Sequence, residues 1–415
     1  MILKTPNSSI SGHINLPASK SISNRVLMVN ALAANKRLPH NLSDCDDTNA
    51  VLEWMEKRPD VIDVGAAGTA MRFSTALLAM TDGRHTITGS QRMKQRPIAI
   101  LVDALRSLGA KIQYLENDGF PPLLIEGNSN MTGGTLELDG SVSSQFITAL
   151  LIIAPYMQNG LKLQLKNKVI SRPYINMTIK IMNDFGADVK WISDSEIEVK
   201  HGNYVKRDFW IENDWSAASY WYEITALSDS CNTIMLKGLK PDSIQGDSCV
   251  AQMFRKLGVN TTFNMDGKIP VAMIEKSGKP SNNFEENLSN CPDLAQTMAV
   301  TCCMMDIPFR FHGLSTLKIK ETDRIQALVN ELGKLGFLLK ESDNYALEWN
   351  GEKRLLDPEE SNKVAIDTYK DHRMAMAFAP VTIKTKSLII NDPGVVSKSY
   401  PNFWNDLKEV GFLIE

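Results

Sequence analysis

The chain is 415 residues long, 43% hydrophobic and 22% charged, with 45 basic against 48 acidic side chains and a net charge of −3. That length exceeds one ordinary core and calls for two domains of similar size, while the balanced charge excludes a global basic field for nucleic acid, so positive potential has to be gathered locally. The six cysteines, at 45, 231, 249, 291, 302 and 303, form no C-x-x-C pair and no ligand spacing with the six histidines, which speaks against structural zinc and a disulfide framework and for reduced thiols in a cytoplasmic protein.

The opening MILKTPNSSI lacks the apolar core of a signal peptide, and the longest apolar runs, such as 146–155, fall short of a membrane span. MILKT and HINL read as two short apolar segments. LPASKSISNR at 16–25 then opens a helix over 21–34. Unpaired N–H groups and the positive end of the helix dipole there meet Lys20, Ser21 and Arg25, a combination suited to phosphate or carboxylate. A second helix spans 47–57. A third, over 68–80, starts with Gly68-Thr69 and Arg72 and precedes the strand HTITG. Arg92-Met-Lys-Gln-Arg96 stands before Pro97, read as a first helical turn. Ser143-Ser144-Gln145 opens a helix over 144–156 that precedes LKLQL, and Ser171-Arg172-Pro173-Tyr174 opens the next. In the second half, a helix over 216–227 precedes NTIML, and Pro292-Asp293, Lys320-Glu321-Thr322-Asp323-Arg324, Asp371-His372-Arg373 and Ser397-Lys398-Ser399 are placed at later helix starts.

Several helices end in an apolar residue, glycine and another apolar residue, followed by strand, turn and strand. The glycines are 109, 186, 258, 336 and 411, at intervals of 77, 72, 78 and 75 residues. A near-constant period means repeated units, here βαβαββ, with left-handed glycine after the helix and Asn-Asp-Gly, Ser-Asp-Ser, Met-Asp-Gly or Ser-Asp-Asn as turn chemistry. An earlier copy over 21–57 makes six, which divide as three plus three. The last unit stops short of a strand, so the N-terminal strand is expected to complete it. The predicted fold class is therefore α/β, with an N-terminal domain over 18–213 and a C-terminal domain formed by 1–17 with 214–415. Two close chain crossings, near 16–18 and 211–214, would make a hinge.

Each polar motif taken alone has a plain reading. Ser143-Ser144-Gln145 is an ordinary cap, and 320–324 can be a solvated helix start with local ion pairs. Asp371-His372-Arg373 is harder to dismiss, because it opens the almost wholly apolar MAMAFAPV. Nine such starts together point to a pooled cationic cleft for a substrate pair rich in phosphate and carboxylate.

The strings LPASKSISNR, GTAMRF, RMKQRP, DGSVSSQF, SRPY, PDLAQT, KETDR, DHRMAM and SKSYPNFW, in this order over 16–404, resemble those of the 5-enolpyruvylshikimate-3-phosphate synthase family of enolpyruvyl transferases. The resemblance implies two domains of three βαβαββ repeats each, closing over the substrates. It implies transfer of the carboxyvinyl group of phosphoenolpyruvate to the 5-hydroxyl of shikimate 3-phosphate, by addition and elimination, in chorismate and aromatic amino acid synthesis, with no metal or organic cofactor. By the same resemblance Lys20, Ser21, Arg25, Ser143, Ser144, Gln145, Ser171, Tyr174, Asp293 and Lys320 hold shikimate 3-phosphate. Lys20, Gly68, Arg96, Gln145, Arg324, Arg373 and Lys398 take phosphoenolpyruvate. Asp293 is the implied proton acceptor, Glu321 a second acid/base candidate, and Lys20 lies between both substrates.

Three positions depart from the family pattern. The segment between Asp47 and Gly65 is short, so the first repeat loses its hairpin; Phe73 replaces a common proline, with a consequence for the inhibitor glyphosate; and Thr316 replaces a common asparagine. The sister transferase acting on a UDP-amino sugar is the nearest rival, but GSQRMKQRP lacks the cysteine which that enzyme uses. A non-catalytic phosphate-ligand or RNA-binding repeat protein would have no need for Asp293, Lys320 and Glu321 together. Small-molecule substrates, no nucleic acid or membrane partner, and a cytoplasmic monomer are expected.

Overall fold

The computed structural model describes residues 1–5, 10–229, 231–356 and 364–415. Within it the strands form five four-stranded sheets that share one plan. Each runs, in space, first strand, second, fourth, third. The first two are parallel, with a helix ahead of the second, and the remaining pairs are antiparallel.

The chain divides into two compact units, Ala18–Ile211 and Met1–Pro17 with Glu212–Glu415. In the first, Val61–Asp63, Gly83–Thr88, Leu123–Gly127 and Lys111–Tyr114 make one sheet, and Gly134–Asp139, Leu161–Lys166, Glu196–Val199 and Val189–Ser193 the other. Period-two burial sets the register: Leu161, Leu163 and Leu165 point inward, and Leu163 lies opposite Ile197. The earliest repeat keeps its helices, Lys20–Leu32 and Asp46–Lys57, but the chain runs from the second straight into Val61–Asp63 without a hairpin. Its sheet is reduced to a parallel bridge between His40 and Trp210.

In the other unit, Phe284–Asn287, Phe309–His312, Ala346–Trp349 and Lys340–Ser342 form one sheet. The remaining two both borrow from the N-terminus. Ile2–Lys4 lies between Ser387–Ile390 and Leu413–Ile414, filling the fourth place of the last repeat. Ile10–Ile14 pairs in parallel with Cys231–Lys237 and is the first strand of a different repeat. HINL thus belongs one sheet away from MILKT, a refinement of the expected completion.

Inner helices are apolar nearly all round, because they are enclosed by sheets and other helices. Gly68–Ala79 and Ser144–Ile153 pack with Lys20–Leu32 in one unit; Trp215–Leu227, Ala295–Met304 and His372–Phe378 pack together in the other. The outer helices end in the predicted glycines, and Gly109, Gly186, Gly258, Gly336 and Gly411 all have φ between +82° and +106°, a region that a Cβ makes costly. Among the described residues, no helix is long and apolar enough to cross a membrane.

Candidate functional site

In the Ala18–Ile211 unit the polar motifs gather at the starts of the three inner helices. Ser19 caps Lys20–Leu32 by accepting from the Ile22 N–H, which leaves Lys20 and Ser21 in the first turn. Arg25, one turn further in and 3% exposed, is held by hydroxyls and carbonyls. Its Nε donates to Thr178 Oγ1 at 2.9 Å, Nη1 to the Ser21 carbonyl at 2.7 Å, and Nη2 to Thr148 Oγ1 and the Tyr174 carbonyl at 3.4 Å. Burial draws its pKa down to about 10, slightly opposed by Tyr174. It therefore stays charged at neutral pH, yet no carboxylate pairs with it among the described residues. Lys20 Nζ stands 3.2 Å from Asp47 Oδ2.

At the start of Gly68–Ala79, Arg72 Nη1 donates to the Gly68 carbonyl and to Gln145 Oε1, both at 3.0 Å, while Gln145 Nε2 donates to Thr69 Oγ1 at 3.2 Å. A Cβ on Gly68 would sit 2.6 Å from Arg96 Nη1 and 2.8 Å from Arg72 Nη1. Only glycine admits both guanidinium groups so close. Ser143 caps Ser144–Ile153 by accepting from the Gln145 N–H. Ser171 precedes Arg172–Asp184 with φ of +54°, a strained value of the kind retained where a side chain must be aimed. Phe73, buried on the helix behind Gly68, lies under the Arg25 guanidinium, 5.5 Å from ring centre to Cζ.

Two expected helix starts differ. Pro97 falls ahead of the helix, which begins at Ala99, so Arg92–Arg96 form a 3-10 turn leading into it. Likewise 397–399 end the 3-10 segment Pro393–Lys398, before the helix Phe403–Glu409. In both places proline or a short connection permits a tighter turn but not the regular helical ladder.

The other unit holds a chain of ion pairs. Arg324, first residue of Arg324–Lys334 and capped by Asp323, donates through Nη1 to Asp293 Oδ1 at 2.8 Å, through Nη2 to Glu321 Oε2 at 3.0 Å and through Nε to Asp371 Oδ2 at 2.7 Å. Arg373 Nη2 donates to Asp293 Oδ2 at 2.8 Å, Lys320 Nζ is 3.6 Å from Asp293 Oδ1, and Lys398 Nζ donates to Glu321 Oε1 at 2.8 Å. Burial pushes the Asp293 carboxyl up, but Arg373, Lys320 and Arg324 outweigh it and hold the group well below the usual carboxylate range. Asp371 caps His372–Phe378 through the Arg373 N–H. Ser216 hydrogen-bonds Asp247, whose carboxyl burial and Asp293 push up to about 6.

Asp293, Lys320, Glu321, Arg324, Arg373 and Lys398 are thus brought together in one unit; Lys20, Ser21 and Arg25, and Gly68, Arg96 and Gln145, are grouped in the other. Sequence reasoning missed Asp47, Thr148, Thr178, Ser216 and Asp247, and assigned no role to Arg72 or Asp371. Two threonines inside apolar helices, at 148 and 178, were a readable sign of a buried polar partner; Ser216 and Asp247 had none.

The profile of the EPSP synthase (3-phosphoshikimate 1-carboxyvinyltransferase) family matches residues 4–57 and 53–407. A 3-phosphoshikimate 1-carboxyvinyltransferase of Bacteroides fragilis is 51% identical over 414 residues, covering 100% of this chain and 98% of that protein. One from Sulfurovum sp. is 34% identical, with 97% of each covered. Among solved structures, the EPSP synthase of Acinetobacter baumannii superposes with a TM-score of 0.78 at 19% identity, over 100% of this chain and 99% of that one. The enolpyruvyl transferase NikO of Streptomyces tendae gives 0.73 at 14%, over 100% and 98%. At those identities the two structures speak for the fold alone.

Proposed function

Because the chain belongs to the EPSP synthase (3-phosphoshikimate 1-carboxyvinyltransferase) family, we propose a division of labour among its residues for that reaction. The protein is a transferase that moves the carboxyvinyl group of phosphoenolpyruvate to the 5-hydroxyl of shikimate 3-phosphate and releases phosphate, a step of aromatic amino acid biosynthesis. The UDP-amino sugar and RNA-binding alternatives are not favoured.

Lys20, Ser21, Arg25, Ser143, Ser144, Gln145, Ser171, Tyr174, Asp293 and Lys320 hold shikimate 3-phosphate. Gly68, Arg96 and Gln145 take phosphoenolpyruvate, as do Arg324, Arg373 and Lys398, and Lys20 serves both ligands. The observation that carries this reading is Arg25: a buried guanidinium seated on hydroxyls and carbonyls, without a carboxylate partner among the described residues, is completed by an anion.

Asp293 accepts the 5-hydroxyl proton as oxygen adds to the carbon made electrophilic by protonation of the enol methylene. Glu321, between Arg324 and Lys398, is the second acid/base group. Phosphate then leaves the tetrahedral ketal, and the cations stabilise the charge that develops. The protein works as a cytoplasmic monomer. Phosphate release from phosphoenolpyruvate tests the whole reading: it is expected only with shikimate 3-phosphate as acceptor. Release with a UDP-amino sugar instead would overturn it.

A further inference from the structure

Between the strand Ala365–Ile366 and the helix His372–Phe378 the chain turns through residues 367–370, and two neighbours there, Tyr369 and Lys370, hold φ of +53° and +57°. Neither is glycine. Two left-handed side-chain-bearing residues in succession persist only where the surroundings fix them. Glu331 supplies that fixing. It is fully buried on Arg324–Lys334, seven residues after Arg324, which is about two helical turns and therefore the same face. Its Oε2 accepts from the Asp367 N–H at 3.0 Å and its Oε1 from the Tyr369 hydroxyl at 2.6 Å. Lys334 Nζ stands 2.6 Å from Glu331 Oε2 and 2.8 Å from Asp367 Oδ2, and Asn330 Nδ2 donates to the Tyr369 hydroxyl at 3.3 Å. The same helix grips the other end of the turn, where Arg324 donates to both oxygens of Asp371, at 2.7 and 3.3 Å. Inside the turn the Asp371 N–H donates to the Thr368 carbonyl at 2.8 Å. Asp371 Oδ1 accepts from the Arg373 N–H at 3.0 Å, so the place of the turn sets the place of Arg373, and both arginines reach Asp293.

We propose that Glu331, through the Tyr369 hydroxyl and the Asp367 N–H, is a positioning residue: it holds the strained turn in place and so aims Arg324 and Arg373 at phosphoenolpyruvate. This rests on the role given to those two arginines above. Glu331 is sealed from solvent and acts through other residues. Arg324 fixes one end of the turn and Glu331 the other, so a single helix clamps the segment between them. When the Tyr369 hydroxyl is lost, the turn relaxes toward ordinary φ values, Asp371 shifts against Arg324, and the cap of the helix that carries Arg373 shifts with it. A guanidinium displaced by a fraction of an ångström to 1 Å loses the bidentate match to carboxylate or phosphate.

The test uses the full-length enzyme with Tyr369→Phe, which deletes one oxygen from a side chain 36% exposed and leaves Glu331 paired with Lys334. The KM for phosphoenolpyruvate is expected to rise about tenfold or more. The KM for shikimate 3-phosphate, most of whose residues belong to the Ala18–Ile211 unit, should stay within about twofold. Adding Lys370→Gly, which frees one of the two strained positions, should recover most of the loss, a rescue that a purely structural defect would not show. Amide exchange followed by mass spectrometry should quicken across 367–371 in Tyr369→Phe, a readout that needs no turnover. The proposal is overturned if the KM for phosphoenolpyruvate moves by less than about twofold, if both KM values rise alike, if Lys370→Gly deepens the defect, or if exchange across the turn is unchanged. Arg373→Gln, measured alongside, keeps the two readings apart. A parental KM for phosphoenolpyruvate in that variant overturns the site assignment itself, whereas a raised KM there with a parental one in Tyr369→Phe strikes only the role of Glu331.

Discussion

Asp293 carries opposing influences that the geometry resolves. Burial alone would make it a neutral acid, but Arg324 and Arg373 each donate to one of its oxygens at 2.8 Å, and the carboxyl is held low. A base with a depressed pKa is ionised throughout the neutral range, and is lost only as pH falls through its lowered value. Asp293→Ala is therefore expected to cut kcat by about 10²- to 10⁴-fold while the KM for shikimate 3-phosphate moves by only a few-fold; steady-state kinetics read both, and near-parental turnover would remove Asp293 from the chemistry. Gly68→Ala acts through space. Its Cβ displaces the Arg96 and Arg72 guanidinium groups, so the KM for phosphoenolpyruvate should rise roughly tenfold or more, equivalent to about 1.4 kcal/mol, with the melting temperature little changed. Glu223 is a third case. It is fully buried on Trp215–Leu227, neither carboxyl oxygen has a hydrogen-bond partner among the described residues, and burial raises its pKa well above the ordinary value. The folded state then holds a proton that the unfolded state releases. Stability from this group is intact below the unfolded pKa and falls by about 1.4 kcal/mol per pH unit above it, until the folded value is reached. Urea titrations at pH 5 and pH 8 should show Glu223→Gln flattening that slope and gaining most at pH 8.

Among the elements, the N-terminal strand is the most exposed to a single change. Leu3 is fully buried, and Ile2–Lys4 pairs on both sides, with Ser387–Ile390 and Leu413–Ile414. Leu3→Ala should cost about 2–5 kcal/mol, from lost burial plus the cavity left behind, visible as an earlier denaturation midpoint; a loss under about 1 kcal/mol would mean that the strand is dispensable. How this sheet closes was partly legible: the last repeat lacked a strand and the chain had spare apolar residues at its start. That HINL would join another sheet was not, because a four-residue apolar run has no period long enough to choose a partner. The glycine interval worked for a physical reason, since a helix that must turn at once into a strand needs a residue tolerant of positive φ. The site motifs were legible because helix starts impose local residue choices. The hydrogen bond of Ser216 to Asp247 joins segments 31 residues apart, and nothing in either segment points to the other.

For the whole molecule, the third strand of each repeat lies at a sheet edge. These edges are short and charged, as at Lys111–Tyr114, Val189–Ser193 and Lys340–Ser342, and such edges resist pairing with another chain. Light scattering should therefore give a mass near 46.2 kDa at micromolar concentration; a value twice that would show an interface the sequence does not betray. Linear synthesis on the ribosome meets an unusual constraint here. Residues 1–17 emerge first but belong with residues 212–415, so Ala18–Ile211 can fold while the leading segment still trails unpaired. At about 5–20 residues per second, Leu3 waits on the order of 20–75 s before Leu388 is made. For that interval an apolar β-strand is exposed in the nascent chain, so a chaperone that shields the emerging N-terminus would raise the yield of active enzyme.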